Sequence, residues 1–270
     1  MTTPLTPGAA KKSLGQHFLF DPSVLKRVAT AGGSVAGKTV IEVGPGPGGL
    51  TRALLDSGVG KLIALELDDR FAEGLSLWPE ARTGQLTVHH GDALAANIPE
   101  LIATAGGETP AMIVANLPYN VGTPMLVEWL KAGDWRGTMV LMFQKEVGLR
   151  ICAAPDDDHY GRLAVLSQAV TRPRLAITLP PGAFRPPPKV DSAVVVLDPL
   201  APAERFDDLE GLERITAAAF GQRRKMLRAA LKSLPGAVDA LEASGIDPTR
   251  RAETLTQAEF RTLTKAWRRT

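Results

Sequence analysis

Short apolar runs alternate with amphipathic segments along most of the chain. The runs are rich in β-branched residues and show little polar alternation, which predicts strands buried on both faces. Strands and helices that alternate in this way are typical of a doubly wound α/β fold with a mostly parallel sheet. The predicted strands are 38–43, 61–66, 85–89, 111–115 and 137–143, and the predicted helices are 48–57, 69–77, 98–105 and 122–132.

The pattern continues on both sides of this region. Asp21 and Pro22 supply an N-cap and a proline for the first helical position, so a helix is expected through about Ala31. After the fifth strand we expect two helices and two further strands, which makes a seven-stranded sheet. The segment between the last two strands, PPGAFRPPPK, is too rich in proline for regular structure. These helices are 145–154 and 161–170, and these strands are 174–179 and 190–197.

The C-terminal part of the chain has a different pattern. Residues 199–206 predict a linker, after which leucine and alanine recur at helical spacing with breaks at Gly236 and Gly245. We therefore expect a basic N-terminal leader over residues 1–20, an α/β domain over 21–200 and a helical domain over 201–270.

Composition excludes several classes of protein. A hydrophobic fraction of 44% and a charged fraction of 22% are ordinary for a soluble globular protein. Apolar runs are too short to cross a bilayer and the N-terminus lacks a signal-peptide core, so we expect a cytoplasmic protein. The single cysteine, Cys152, excludes an intramolecular disulfide and a cysteine-rich zinc site. His89 and His90 are adjacent on a strand and face opposite ways, so no metal is expected.

Charge is distributed unevenly along the chain. Residues 42–110 contain ten acids and four bases, whereas residues 211–270 contain twelve bases and six acids. A local positive excess is the footprint expected for a polyanionic partner. The alternative is a solvated helical face, and charge alone does not decide between the two.

The stretch VIEVGPGPGGLT, residues 40–51, joins a strand, a glycine-rich turn and a helix start. Gly44, Gly46 and Gly48 allow positive φ angles and close approach of the backbone to a ligand, and the helix N-terminus offers unpaired N–H groups. In open α/β sheets ligands bind beyond the carboxyl ends of the strands, where this turn lies.

The turn is compatible with two kinds of ligand. Gly44, Gly46 and Gly49 also satisfy the dinucleotide pattern G-x-G-x-x-G, and Glu66 stands where a ribose-binding acid belongs for either ligand.

Two further acids favour S-adenosylmethionine over a dinucleotide. Glu42 suits an amino group and a sulfonium cation better than a pyrophosphate, and Asp92 is suited to accept a hydrogen bond from the adenine amino group. The alternatives are that Glu42 caps local backbone N–H groups and that Asp92 caps the next helix.

The fourth predicted strand ends in ANLPYN, residues 115–120. Its Asn116-Leu117-Pro118-Tyr119 is a variant of a tetrapeptide associated with methylation of exocyclic amino nitrogens. The adenine N6 lone pair is conjugated into the ring. Hydrogen bonds from the amino group to the Asn116 side-chain oxygen and the Leu117 carbonyl would localise this lone pair without a general base. Pro118 stiffens the turn, and Tyr119 would stack on a flipped base. The alternative is an ordinary turn with a buried tyrosine.

Taken together, motifs along nearly the whole chain resemble the bacterial ribosomal RNA adenine N6-dimethyltransferases of the KsgA type. These motifs are KKSLGQHFL (11–19), EVGPGPGGLT (42–51), ELD (66–68), GDAL (91–94), NLPYN (116–120), QKEV (144–147), YGRLAVLSQ (160–168), FRPPPKVDSAVV (184–195) and FGQRRKML (220–227).

The resemblance implies a Rossmann-like methyltransferase sheet and dimethylation of two adjacent adenosines near the 3′ end of 16S ribosomal RNA in the small subunit. It also implies that the leader contributes to the cofactor site, and that the protein serves ribosome biogenesis, with a monomer as the expected state. His17 stands where the family often has asparagine. The implied contacts to S-adenosylmethionine are His17, Leu19, Gly44, Glu66, Asp92 and Asn116.

The same resemblance gives the basic residues a role in binding ribosomal RNA phosphates. Three alternatives remain open: a methyltransferase acting on large-subunit RNA that confers antibiotic resistance, a non-catalytic nucleic-acid-binding relative, and a nicotinamide-dependent oxidoreductase. The long FRPPPKVDSAVV segment favours the small-subunit enzyme. The expected phosphate contacts are Lys11, Lys12, Arg223, Arg224, Lys225 and Arg228.

Overall fold

The computed structural model of the protein describes residues 17–222 and 224–270. The chain forms two compact units. The first runs to Gly148 and resumes over Arg174–Asp198, and the second consists of Leu149–Pro173 and Pro199–Thr270. Leu149–Pro173 therefore group with the C-terminal helices. The domain limits inferred from the sequence remain a prediction.

The main sheet confirms the predicted α/β class. In the described part of the chain it has seven strands in the order β4-β3-β2-β5-β6-β9-β7, while β1 and β8 form a separate pair. The first five strands in this order, β4, β3, β2, β5 and β6, run parallel to one another, and β9 runs antiparallel to β6. The strands are β1 (Phe18–Leu19), β2 (Thr39–Val43), β3 (Lys61–Glu66), β4 (Leu86–His90), β5 (Ala111–Asn116), β6 (Arg136–Gln144), β7 (Thr171–Leu179), β8 (Phe184–Arg185) and β9 (Ser192–Pro199).

The helices of the first unit begin and end close to the predicted positions. Asp21 caps the first helix, because its carboxylate accepts from Ser23 N at 2.8 Å and from Val24 N at 3.2 Å. A short helix at Pro79 was not expected from the sequence. These helices are α1 (Pro22–Ala29), α2 (Gly49–Asp56), α3 (Asp69–Ser76), α4 (Pro79–Arg82), α5 (Ile98–Thr104) and α6 (Gly122–Lys131), and α7 (Lys145–Cys152) continues into the second unit.

The chain reverses its direction of winding at the centre of the main sheet. It builds β2, β3 and β4 outward in one direction, then crosses back to place β5 on the other side of β2. Val43 pairs with Ala115 at the ends of β2 and β5, so Gly44 and Asn116 emerge side by side. Such a switch point is where open α/β sheets bind ligands.

The proline-rich segment contains regular structure, contrary to expectation. Phe18 pairs with Arg185 and Leu19 with Phe184 in an antiparallel arrangement. The prediction was wrong here because Phe184 and Arg185 lie between prolines and keep their N–H groups, and two residues are enough for a ladder. Phe184 is fully buried and anchors the segment to the core.

The second unit is helical, as predicted. Tyr160, Phe220 and Phe260 pack at its centre, with ring centroids 6.0 Å and 5.6 Å apart. The buried Tyr160 hydroxyl donates to Leu255 O at 2.9 Å. Gly236 and Gly245 flank one helix with φ angles of 75° and 69°. The helices are α8 (Arg162–Val170), α9 (Leu209–Gly221), α10 (Leu227–Ala230), α11 (Ala237–Ala243) and α12 (Gln257–Trp267).

Within residues 17–222 and 224–270, no helix has the length and apolar character required to span a bilayer.

Replacing Gly48 should destabilise the first unit. Gly48 has a φ of +89°, and an added Cβ would lie 2.7 Å from the ring of buried Trp78. Gly84 has a similar φ of +78° with nothing within 4 Å, so Gly84→Ala measures the backbone strain alone. We expect Gly48→Ala to lose about 1–3 kcal/mol more than Gly84→Ala in denaturant unfolding, because only the former overpacks the core. Equal losses would show that Trp78 moves aside freely.

Candidate active site

A cavity of about 210 Å³ opens at the carboxyl ends of the central strands. It brings together nine of the residues that the sequence assigned to catalysis or cofactor binding, which lie far apart along the chain. Leu19 and Glu42 are not among the lining residues. The nine are His17, Gly44, Gly46, Glu66, Asp92, Asn116, Leu117, Pro118 and Tyr119.

The Glu66 carboxylate holds the glycine-rich turn in place. Its Oε2 accepts from Gly46 N and its Oε1 from Asp68 N, each at 2.8 Å. The turn is crowded as well, because an added Cβ on Gly46 would lie 2.5 Å from the Phe18 ring. Burial raises the pKa of Glu66, and these backbone N–H groups offset part of that effect.

Glu42 lies behind the cavity. It is 1% exposed, and neither carboxylate oxygen has a hydrogen-bond partner among the described residues. Burial raises its pKa to about 8, which the neighbouring Thr51 moderates and the charge of Glu66 reinforces. Residues alternate across a strand, so Glu42 faces away from its neighbour Val43, which does line the cavity. The sequence placed Glu42 at the ligand, but in the structure Glu42 does not line the cavity.

Asp92 lies exposed on the far side of the cavity. Its Oδ1 accepts from Leu94 N at 2.9 Å and closes a local turn. This contact resembles the helix cap that was the alternative role of Asp92. The other carboxylate oxygen accepts no hydrogen bond from a described residue. Asp92 is thus held in position with one oxygen available.

The side chain of Asn116 has a fixed direction. Its Nδ2 donates to the backbone carbonyl of His17 at 2.8 Å. Because a carbonyl can only accept, this bond assigns the nitrogen and leaves Oδ1 as a separate acceptor. The Leu117 carbonyl also has no hydrogen-bond partner among the described residues. Two acceptors therefore occur in succession at the cavity wall.

Tyr119 is braced at both ends. Its hydroxyl lies 2.5 Å from Oγ of the buried Ser192, and its ring stacks on His17 with centroids 5.7 Å apart. Burial raises the pKa of Tyr119. His17 Nδ1 donates in turn to Pro186 O at 2.8 Å. The His17 ring thus contacts Tyr119 and the proline-rich segment at Pro186.

Phe18 takes the place at the cavity that the sequence assigned to Leu19. Leu19 is 7% exposed and packs into the core, because neighbouring residues on a strand face opposite ways. Strand alternation is the signal that separates Phe18 from Leu19. No local pattern identifies Ser192 or Pro186 as neighbours of Tyr119 and His17.

The basic residues divide into two groups. Lys11, Lys12 and Arg223 lie outside the described residues. Arg224, Lys225 and Arg228 are exposed in the second unit, and none has an acidic partner among the described residues. Buried Leu227 lies among them and anchors this segment.

Comparison with known proteins identifies the family. The family model described as ribosomal RNA adenine dimethylase matches residues 8–268. The chain belongs to the ribosomal RNA adenine dimethylase family. Ribosomal RNA small subunit methyltransferase A of Maricaulis maris is 49% identical over 96% of this chain and 91% of that protein. The protein of the same name from Mesorhizobium japonicum is 51% identical over 95% of this chain and 93% of that protein.

Solved structures support the same fold. A dimethyladenosine transferase from Plasmodium falciparum superimposes with a TM-score of 0.77 at 24% identity, covering 92% of this chain and 96% of that one. The 23S rRNA methyltransferase ErmE gives a TM-score of 0.65 at 23% identity, covering 93% and 99%. At these identities the likeness concerns the fold alone.

The charge of the cavity discriminates between ligands for this dimethylase. Glu66 and Asp92 line it, and no lysine or arginine does in the described part of the chain. A pyrophosphate would meet acids here without a compensating base, whereas a ligand with hydroxyl and amino donors would be matched. Within the same residues no cluster of His, Cys, Asp and Glu is arranged to hold a metal ion.

Glu42 should make stability depend on pH. Since the folded protein keeps a proton that the unfolded chain releases, stability should fall as pH rises from the ordinary value of 4.5 towards about 8. We expect Glu42→Gln to flatten this dependence. Between about pH 5 and pH 8, the thermal midpoint of the variant should rise by a few °C relative to that of the wild type.

Glu73→Gln, which removes an exposed carboxylate, is the matched control and should leave the slope unchanged. An unaltered slope in Glu42→Gln would mean that Glu42 is ionised when folded.

Proposed function

We propose that this dimethylase transfers methyl groups from S-adenosylmethionine to the N6 nitrogens of two adjacent adenosines in the 3′-terminal hairpin of 16S ribosomal RNA. The substrate would be the small (30S) subunit during its biogenesis in the cytoplasm. One observation carries the proposal: the Asn116 amide is fixed with Oδ1 as an acceptor, next to the unbonded Leu117 carbonyl. The names of the relatives, which are about half identical to this chain, favour the small subunit.

The cavity offers groups that suit S-adenosylmethionine. Glu66 would hold the ribose hydroxyls, Asp92 the adenine amino group, and the turn at Gly44 and Gly46 would lie against the methionine portion, with Phe18 beside it. The cofactor supplies an electrophilic methyl group on a sulfonium centre. Glu42 would act from behind the turn: burial keeps it protonated before a ligand binds, and a cationic ligand in front of it would favour its ionised form without direct contact.

Asn116 and Leu117 would activate the substrate nitrogen. Oδ1 of Asn116 and the Leu117 carbonyl would each accept a hydrogen bond from one N6–H, which draws the nitrogen towards tetrahedral geometry and localises its lone pair. Once the methyl group is transferred, the cationic nitrogen would release one proton to solvent. Pro118 has no N–H, and its carbonyl accepts from Val121 N and Gly122 N at 3.1 Å, which stiffens the turn. Positioning would thus supply much of the rate.

Tyr119 would hold the ring of the flipped adenine. His17 covers one face of the Tyr119 ring, so the base would use the other face. The Ser192 contact at 2.5 Å fixes the phenol and keeps the ring in place before substrate arrives. Leu94 and Leu67, which line the cavity and are 45% and 55% exposed, supply the apolar walls.

The uncompensated cations of the second unit would contact ribosomal RNA phosphates. Several arginines of this unit are paired with carboxylates, as in Arg172–Glu204 and Arg268–Asp208, both at 2.8 Å. Arg224, Lys225 and Arg228 are not paired in this way; Arg224 and Lys225 lie between α9 and α10, and Arg228 lies at the start of α10. Exposed charge of this kind favours a polyanion over a solvated face.

Asn116→Ala should abolish methyl transfer while cofactor binding weakens less. Loss of the acceptor removes an interaction that matters at the reacting nitrogen, so we expect a fall of about a hundredfold or more in rate and less than about tenfold in cofactor affinity. The assay incubates the protein with labelled cofactor and unmodified small subunits and measures N6,N6-dimethyladenosine by mass spectrometry.

The matched control is Asn120→Ala, which alters another cavity-lining carboxamide of the same turn. Equal loss of transfer and cofactor binding in Asn116→Ala would assign Asn116 to the cofactor, and a wild type that makes no dimethyladenosine would reject the proposed function.

Removing the basic side chains should weaken RNA binding and reduce its dependence on salt. For Arg224→Ala, Lys225→Ala and Arg228→Ala, we expect the slope of log affinity against log salt to fall by about 0.7–0.9 for each phosphate that the variant no longer neutralises. Filter binding across a series of salt concentrations measures this slope. Arg251→Ala, at a residue paired with Glu253 at 3.8 Å, should change the slope less. Binding that is insensitive to salt in the wild type would contradict the assignment.

A further inference from the structure

Phe20 is an exposed aromatic residue beside the cavity. It is 48% exposed, although the preceding Leu19 is buried in the core. Phe18 and Phe20 lie on the opposite side of this segment from Leu19, and Phe18 lines the cavity. Phe20 therefore follows closely on a residue of the cavity wall and presents apolar surface to solvent.

A guanidinium group lies over the Phe20 ring. Arg185 Cζ is 4.3 Å from the ring centroid, within the range of a cation–π contact. Arg185 Nη1 donates to Phe184 O at 3.1 Å, which directs the guanidinium towards the ring. Arg185 is exposed and has no carboxylate within ion-pair distance in the described residues. Its charge is thus uncompensated.

The pairing of β1 with β8 places this pair at the mouth of the cavity. Phe18 is the strand partner of Arg185, and the Phe20 ring lies against the Arg185 guanidinium. Arg185 therefore links Phe20 to Phe18, which lines the cavity. A nucleotide chain whose flipped base enters the cavity would bring its neighbouring nucleotides over such a rim.

An exposed aromatic ring joined to a planar cation is the combination that binds unpaired bases. Bases stack on aromatic rings and on arginine planes, and the positive charge attracts the adjoining phosphate. A cation–π contact that only tied β1 to β8 would not require the ring to remain half exposed.

We propose that Phe20 and Arg185 form a stacking platform for an unpaired nucleobase next to the target adenosine. The base lies against Phe20, and Arg185 holds the ring and contributes positive charge beside the phosphate. The inference rests on the proposed function, since it assumes an RNA substrate with a flipped adenosine in the cavity. It adds a contact outside the cavity and outside the basic segment of the second unit.

Fluorescence of 2-aminopurine tests the platform directly. The probe replaces the base on the 5′ side or the 3′ side of the adenosine pair in two hairpin RNAs, and stacking on a protein ring quenches it. With the full-length wild type we expect quenching of one probe. Phe20→Leu keeps apolar bulk but removes the ring, so it should abolish this quenching and weaken RNA binding about tenfold. Phe20→Trp should retain both.

Two further variants separate stacking from folding and from charge. Leu77→Ala alters another exposed apolar residue, 69% exposed, and should leave quenching and RNA affinity unchanged. Arg185→Lys keeps the charge but not the plane, so it should weaken quenching more than it weakens binding. Thermal midpoints and cofactor binding should match the wild type in all four variants.

The outcomes distinguish this inference from the proposed function. A wild type that methylates small subunits but quenches neither probe, or a Phe20→Leu variant that quenches and binds as the wild type does, would overturn the platform alone. Failure of the wild type to methylate would instead reject the proposed function.

Discussion

The site depends on the parallel pairing of β2 with β5 at the point where the chain changes its direction of winding. Val43 and Ala115 share one register, so the residues that follow them, Gly44 and Asn116, lie side by side at this edge of the sheet. One strand continues into a turn that only glycine can make and the other into a turn stiffened by Pro118. A shift of one residue in this ladder would invert every side chain of β5 and separate the two halves of the site.

A second layer of contacts fixes what the sheet has brought together. Glu66 joins the end of β3 to the glycine-rich turn, and the His17 carbonyl orients Asn116. The strand pair β1–β8 supplies the third wall, since it brings Phe18 over Gly46 and carries the carbonyl of Pro186 to His17. The groups around the reacting position are therefore held by the protein before any ligand binds, which lowers the reorganisation required later.

The sequence predicts the main sheet well because fully buried parallel strands appear as continuous apolar runs, and it predicts Glu66 and Asn116 because ligands bind at strand ends. It does not predict the pair β1–β8, since two-residue strands from opposite ends of a domain leave no local periodicity. Glu42 and Leu19 do not lie where the sequence predicted, for a related reason. Motif spacing places both near the site, but alternation along a strand turns their side chains into the interior. The bracing of Tyr119 by Ser192 is likewise visible only in three dimensions.

The fixed direction of Asn116 also bears on when a reaction cycle ends. Two acceptors hold an exocyclic nitrogen only through the hydrogens that it carries, and the amide cannot rotate to offer a donor without losing its bond to His17. For the proposed substrate, an unmodified amine fills both acceptors, a monomethylated one fills a single acceptor, and a dimethylated one fills neither. Each transfer therefore removes one hydrogen bond between the base and the site, and the dimethylated product is the species that is held least.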